Sequence, residues 1–275
     1  QQQPQCAKPK TVLSLLKLLC MAHFMLKESN ATRYSYSCFQ DQDTLYTGAV
    51  IWNPNTRIRE DCLYLNVWSP STDFQNRAKP LVPVMVWLYA GGFSTGTACV
   101  RWAFPQSLTT GSVGIHELLI RGIGNIDAFG GDPSSITLFR ESAGAGSVGL
   151  NLLSQGSHGL FTSTIFQSGR PNAVWAPVEP ALAWNCSLTL AQEVDPEKIV
   201  SLQFDVISDP MIKSVPFQPT VDGDFFCGHA ESFNPVRVFS ENRTTLGLNR
   251  VEGTYFLVSG APGFDIHNQS LINQD

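Results

Sequence analysis

Charge is scarce in this chain: 15% of its 275 residues are Asp, Glu, Lys or Arg, and the basic ones nowhere gather into a cluster. Without such a patch there is no surface to neutralise phosphates, which argues against a nucleic-acid partner. The formal net charge of -5 gives a mildly acidic field that could favour cations, but it says little about any particular site. Beyond the first thirty residues no stretch approaches the roughly 20 unbroken apolar residues of a membrane-spanning helix. Internal repeats and low-complexity linkers are also missing. What is present is apolar: 43% of the residues are hydrophobic, enough for one large core in one or two compact domains and too many for a disordered chain.

Seven cysteines, at positions 6, 20, 38, 62, 99, 186 and 227, leave at least one without an intramolecular partner, and spacing alone does not fix the pairing. Asn-x-Ser/Thr sequons at Asn30, Asn185, Asn242 and Asn268 are permissive for glycosylation and fit an oxidising, secretory compartment. Thr11 to Leu26 is apolar, follows Lys8 and Lys10, and is interrupted by Lys17. It reads equally as a signal-peptide profile or as a buried helix. The chain starts at Gln1 and stops at Asp275 in a polar stretch, so it is expected to be part of a longer protein.

Leu81 to Leu88 is rich in strand formers and runs into Tyr89-Ala90-Gly91-Gly92-Phe93, a glycine turn. Ser135 to Phe139 is a second short strand, followed after a sharp turn by the small-residue helical stretch Ala143 to Val148. Phe161 to Phe166 and Thr254 to Val258 suggest further strands. Strands alternating with helical segments favour an α/β sheet over a sandwich.

In Arg140-Glu141-Ser142-Ala143-Gly144 a serine lies between strand and helix. A strained turn there would expose its hydroxyl, and the helix N-terminus would favour developing negative charge. Ser142 could equally cap the helix. Acyl transfer also needs donors aimed at an oxyanion, and Gly91, Gly92 and Ala143 offer three backbone N–H groups from two segments. Taken alone, Gly91-Gly92 could be an ordinary turn.

Glu60-Asp61-Cys62-Leu63-Tyr64-Leu65-Asn66-Val67-Trp68 resembles the second signature of the type-B carboxylesterases, and Phe139 through Gly146 resembles the first. Within that family the chain is most similar to the cholinesterases, on the blocks Trp52-Asn53-Pro54-Asn55, Gln167-Ser168-Gly169, Pro219 to Asp224 and Gly260 to Phe264. The resemblance runs from about Asn30 to the end. It implies an α/β-hydrolase fold, with residues 30–275 as a partial carboxylesterase domain behind a non-family segment, 1–29.

The same resemblance implies roles residue by residue. Ser142 is the nucleophile, Glu252 the triad acid, and Gly91, Gly92 and Ala143 the oxyanion donors. Trp52 matches the tryptophan that binds a choline head, as an indole face can through cation-π attraction without needing a hydrogen-bond donor. Glu141 adds negative charge nearby, Asp43 matches the acid at the gorge mouth, and Trp175 the acyl-pocket wall. Val215 stands where a phenylalanine would narrow the pocket, implying tolerance of larger acyl groups. Core packing for Trp52 and Trp175, and a solvated carboxylate for Asp43, are the alternatives on the residues alone. Cys38 and Cys62 match the disulfide closing the loop that carries Trp52.

Three departures qualify the expectation. None of His23, His116, His158, His229 and His267 matches the family's triad histidine, which lies well downstream of the acid and takes the serine proton. Arg140 replaces the usual small glycine of the elbow and is expected to crowd it. Between Val100 and Asn125 the family's strand with its Asn-Tyr-Arg element is not recognisable, nor are its N-terminal hairpins in residues 1–29, so an interrupted sheet and poor independent folding are expected. The functional expectation is a serine ester hydrolase of cholinesterase type acting on small choline esters. It needs no cofactor or metal, is secreted or extracellular, is open to homo-oligomerisation or cell-surface association, and is impaired by the lack of the histidine. The alternatives are a non-catalytic cholinesterase-like adhesion or binding protein, or a truncated gene product.

Overall fold

The computed structural model describes residues 34–42, 44, 50, 52–69, 80–97, 108–110, 122–173, 180–190, 195–203, 218–223, 225–229, 232 and 242–253. Five parallel strands form one sheet: β1 (Val82–Leu88), β2 (Leu108–Thr110), β3 (Gly131–Glu141), β4 (Ser163–Gln167) and β5 (Arg243–Gly247), in the order β2-β1-β3-β4-β5. A parallel sheet with the helix Ala143–Leu153 packed on it is layering of the α/β-hydrolase type. The strand expected over Thr254 to Val258 lies outside the described residues.

One expectation changes here. The segment between Val100 and Asn125 does supply a strand: Leu108–Thr110 pairs with Val86–Leu88 of β1 and forms the edge of the described sheet. Three residues with no family motif carry too little periodic signal to be read as a strand.

β1 alternates as a strand should. Val84, Val86 and Leu88 are buried, while Met85 on the other face is exposed. Pro83 cannot donate to a ladder, and it falls at the register shift between the Val82↔Gly131 and Val84↔Ile136 pairs. On β3 the extra residues of that shift are Asp132 to Ser135, closed by Asp132 accepting from the Ser134 N–H at 2.8 Å and its hydroxyl at 2.7 Å. Beyond it Ile136 and Leu138 are fully buried in the central strand.

α1 (Ala143–Leu153) is buried along its whole length. A helix so enclosed has no polar face to offer water, and its sequence, Ala-Gly-Ala-Gly-Ser-Val-Gly-Leu-Asn-Leu-Leu, has none to spare. Its two polar residues are satisfied internally. The Ser147 hydroxyl donates to the Ala143 carbonyl (3.1 Å), and Asn151 donates to the Ser147 carbonyl (2.9 Å) and accepts from Ser157 (2.9 Å). Val148, Leu152 and Leu153 meet Val84, Val86, Leu88, Ile136, Leu138 and Phe166 of the sheet in one apolar core. Each such side chain contributes roughly 1.5–3 kcal/mol on burial.

α2 (Pro180–Leu190) and α3 (Pro196–Leu202) follow β4. α3 starts by the usual rules: Asp195 caps the N–H groups of Glu197 (2.9 Å) and Lys198 (3.3 Å), and Pro196 occupies the first position. No helix among the described residues is long and apolar enough to cross a membrane.

Candidate active site

β3 and α1 meet at a single residue, Ser142, with φ 57° and ψ −129°. A non-glycine residue pays about 1–3 kcal/mol for such a conformation, so the surroundings must impose it. They do so from both sides: the Ser142 N–H donates to the Gln167 carbonyl at the end of β4 (2.9 Å), and its carbonyl accepts from the Gly146 N–H (3.1 Å). Space is equally tight. A Cβ on Gly169 would stand 2.2 Å from the Ser142 carbonyl oxygen, and one on Gly144 would stand 2.4 Å from that of Leu88. The Ser142 side chain makes no capping hydrogen bond to α1, so capping is not what this serine does here.

Arg140 does not break the turn. Its side chain is 2% exposed, passes beneath Gly144, and lays its guanidinium 4.1 Å from the centroid of the Trp87 ring, itself packed on Phe139. Nε and Nη1 find no hydrogen-bond partner. Burial therefore pushes the Arg140 pKa well below the usual arginine range, against the opposing pull of Glu141 and Tyr89. Glu141, half-buried at the end of β3, is pushed the other way. Desolvation raises its carboxyl above the ordinary range, Arg140 partly offsets this, and the nearby negative charge of Glu252 adds to it.

Gly91 and Gly92 open the turn that follows β1, with φ of 132° and 58°. The Gly91 carbonyl is the acceptor for the whole turn, taking the N–H groups of Ser94 (3.0 Å) and Thr95 (2.9 Å) and the Thr95 hydroxyl (3.1 Å). Ala143 is the first residue of α1, so its N–H belongs to the helix-start donors that no intrahelical carbonyl can reach.

Glu252 lies in the turn after β5. Its carboxylate accepts from the Ser168 hydroxyl (2.6 Å) and from the Asn249 N–H. These two bonds, Ser168 first, hold its pKa below the ordinary carboxylate range. Ser168 is itself placed by a left-handed backbone, φ 52°, and by its N–H donating to the Gly247 carbonyl (2.9 Å). Consecutive residues thus serve the two groups: the carbonyl of Gln167 holds Ser142, and the hydroxyl of Ser168 holds Glu252. Ser168 was visible only as part of a family block; its role needed the fold.

Trp52 is half-buried in the loop between Cys38 and Cys62, which form a disulfide with Cα atoms 4.9 Å apart. The ends of that loop are zipped by the Ser37–Ile58 bridge, with Ser37 N–H to Arg57 carbonyl and Arg59 N–H to Ser37 carbonyl both 2.9 Å, and by Arg59 stacked 4.2 Å from the Tyr36 ring centroid. Cys227 is also disulfide-bonded, and Cys186 is a buried free thiol. Asp43, Trp175 and Val215 lie outside the described residues, as do His23, His116 and His267; His158 is exposed and His229 half-buried. Among the described residues no group of His, Cys, Asp and Glu could hold a metal ion.

A serine strained at a strand-to-helix turn over a parallel sheet, beside a glycine turn, defines the α/β-hydrolase class. The chain belongs to the carboxylesterase family, whose model matches residues 26–113 and 123–275. It is 38% identical to a cholinesterase of Mus musculus and 36% identical to an acetylcholinesterase of Bungarus fasciatus, in each case over 89% of this chain and 48% of the relative. The chain thus spans about half the length of the curated relatives it matches.

Proposed function

We propose that the chain carries the nucleophile half of a carboxylic ester hydrolase of cholinesterase type, with Ser142 as the attacking residue. The observation that carries this reading is the backbone of Ser142, a strain that capping does not explain and that an exposed nucleophile does. The Ser142 Oγ adds to the carbonyl carbon of a choline ester while its proton passes to a base. The resulting oxyanion is held by the N–H groups of Gly91, Gly92 and Ala143, choline leaves with a proton, and water releases the acid from the acyl-serine. Glu252 orients the base. Trp52 takes the quaternary ammonium on its ring face, with the carboxylates of Glu141 and Asp43 supplying negative field, and Trp175 and Val215 shape the acyl pocket. The relatives' names, cholinesterase and acetylcholinesterase, support this substrate class.

None of the chain's five histidines matches the family's base position in sequence, and turnover by this chain alone is therefore read as impaired. Residues 30–275 are read as the partial carboxylesterase domain and 1–29 as a non-family, signal-like N-terminal segment, although the family match itself begins at residue 26. The sequons and the Cys38–Cys62 disulfide fit a secreted or extracellular glycoprotein, with oligomerisation or cell-surface attachment belonging to a longer protein. The lack of a histidine matching the base position favours a second reading, a non-catalytic cholinesterase-like adhesion or binding protein, with a truncated gene product as a third.

The test is to express residues 1–275 in a secretory host and treat the product with an organophosphonate. Mass spectrometry would locate the adduct, with thiocholine-ester hydrolysis followed in parallel. Labelling at Ser142, lost in Ser142→Ala, supports the esterase reading; folded protein with neither label nor turnover leaves an esterase remnant or a binding protein.

A further inference from the structure

Gln40 is almost fully buried, 7% exposed, and its amide is spent entirely on backbone. Oε1 accepts from the Gly96 N–H (2.7 Å), while Nε2 donates to the Gly96 carbonyl (2.8 Å) and to the Cys38 carbonyl (3.1 Å). One side chain therefore reads both polar groups of Gly96 and ties them to the residue that begins the disulfide loop. A second link runs in parallel: the Ser37 hydroxyl donates to Thr97 Oγ1 (2.9 Å) and lies 2.7 Å from Thr56 Oγ1.

Gly96 is the far end of the turn that starts at Gly91. It is packed so closely that a Cβ there would stand 2.3 Å from the Ala90 carbonyl oxygen. Within the turn the Gly91 carbonyl is pinned by Ser94 and Thr95. The peptide between Gly91 and Gly92 is trans and planar, so its N–H points opposite to its carbonyl. Pinning the Gly91 carbonyl into the turn therefore fixes the Gly92 N–H to point out of it.

We propose that Gln40 is a positioning residue for the oxyanion donors: by clamping Gly96 to Cys38 it closes the Gly91–Thr97 turn and sets the direction of the Gly92 N–H. The clamp also couples this turn to the disulfide loop that carries Trp52. The role rests on the esterase reading of Ser142, whereas the clamp itself does not.

The test uses the full 275-residue chain as wild type, Gln40→Met, which keeps the shape and loses all three bonds, and Gln40→Glu, which keeps an acceptor for the Gly96 N–H. Hydrogen exchange by mass spectrometry would follow the 91–97 turn alongside β3 and α1, and phosphonate labelling of Ser142 would be resolved into a half-saturation concentration and a limiting rate. In Gln40→Met the 91–97 amides are expected to exchange about tenfold faster, the loss expected for buried hydrogen bonds, with β3 and α1 unchanged. The limiting labelling rate should fall by a similar factor at unchanged half-saturation, because an oxyanion donor acts on the transition state rather than on binding. Gln40→Glu should recover part of both. Wild-type exchange of the turn in Gln40→Met overturns the clamp; faster exchange with an unchanged limiting rate overturns the positioning role. If Gln40→Met loses protection throughout, Gln40→Glu decides by the same two criteria. A wild-type chain that takes no label overturns the positioning role in this chain, while the exchange data still decide the clamp.

Discussion

At the scale of single residues, Arg140 is the anomaly. A guanidinium with two unpartnered nitrogens in the core costs more than its stacking on Trp87 returns. Arg140→Met, apolar and of similar reach, should stabilise the fold by about 1–3 kcal/mol, read as a raised midpoint of thermal or urea unfolding. The two carboxylates respond to pH in opposite senses. The folded-state pKa of Glu252 is depressed by Ser168 and Asn249, so its contribution is present above the ordinary carboxylate range and lost as pH falls through the depressed value. Ser168→Ala should therefore bring the Glu252 titration, followed by carbon-13 NMR of the carboxyl, back towards the ordinary value. Glu141 is raised by desolvation, so the unfolded chain releases this proton first and stability declines as pH climbs from the ordinary carboxylate range to the raised value. Glu141→Gln should flatten that decline in urea titrations run at a series of pH values.

At the scale of elements, the contact of α1 with the sheet is the joint on which the elbow depends. Gly144→Ala places a methyl 2.4 Å from the Leu88 carbonyl oxygen and against Arg140 Cγ. The side chain could shift but the strand backbone could not, so a loss of about 1–3 kcal/mol and slower phosphonate labelling of Ser142 are expected together. Leu138→Ala, in the fully buried centre of β3, should cost about 2–5 kcal/mol through the cavity it opens. Its effect on labelling should follow stability alone, which separates packing from geometry at the elbow.

For the whole molecule, the described sheet ends on a poorly covered strand. Leu246 is 72% exposed on β5, Leu248 beyond it 81%, and Trp184 on α2 66%. A parallel sheet ordinarily buries both faces, and this chain spans about half the length of its relatives. The isolated 275 residues should therefore melt broadly rather than cooperatively and bind a hydrophobic dye. A sharp melt by circular dichroism with no dye binding would refute this.

The sequence by itself determined the family and the local parts of the site. Strand-forming runs, the glycine turn and the small-residue helix are encoded within a few residues each, which is why β1, β3, β4 and α1 were legible and why Ser142 could be placed between strand and helix. Tertiary structure alone decided what depends on residues far apart in the chain. Leu108–Thr110 is a strand only because Val86–Leu88 lies beside it. Arg140 is tolerable only because the Trp87 ring is there to receive it. Ser168 finds Glu252 across 84 positions and Gln40 finds Gly96 across 56. Hydrogen bonds of that span leave no periodicity in the sequence, because the partner's distance along the chain is set by how the sheet is wound.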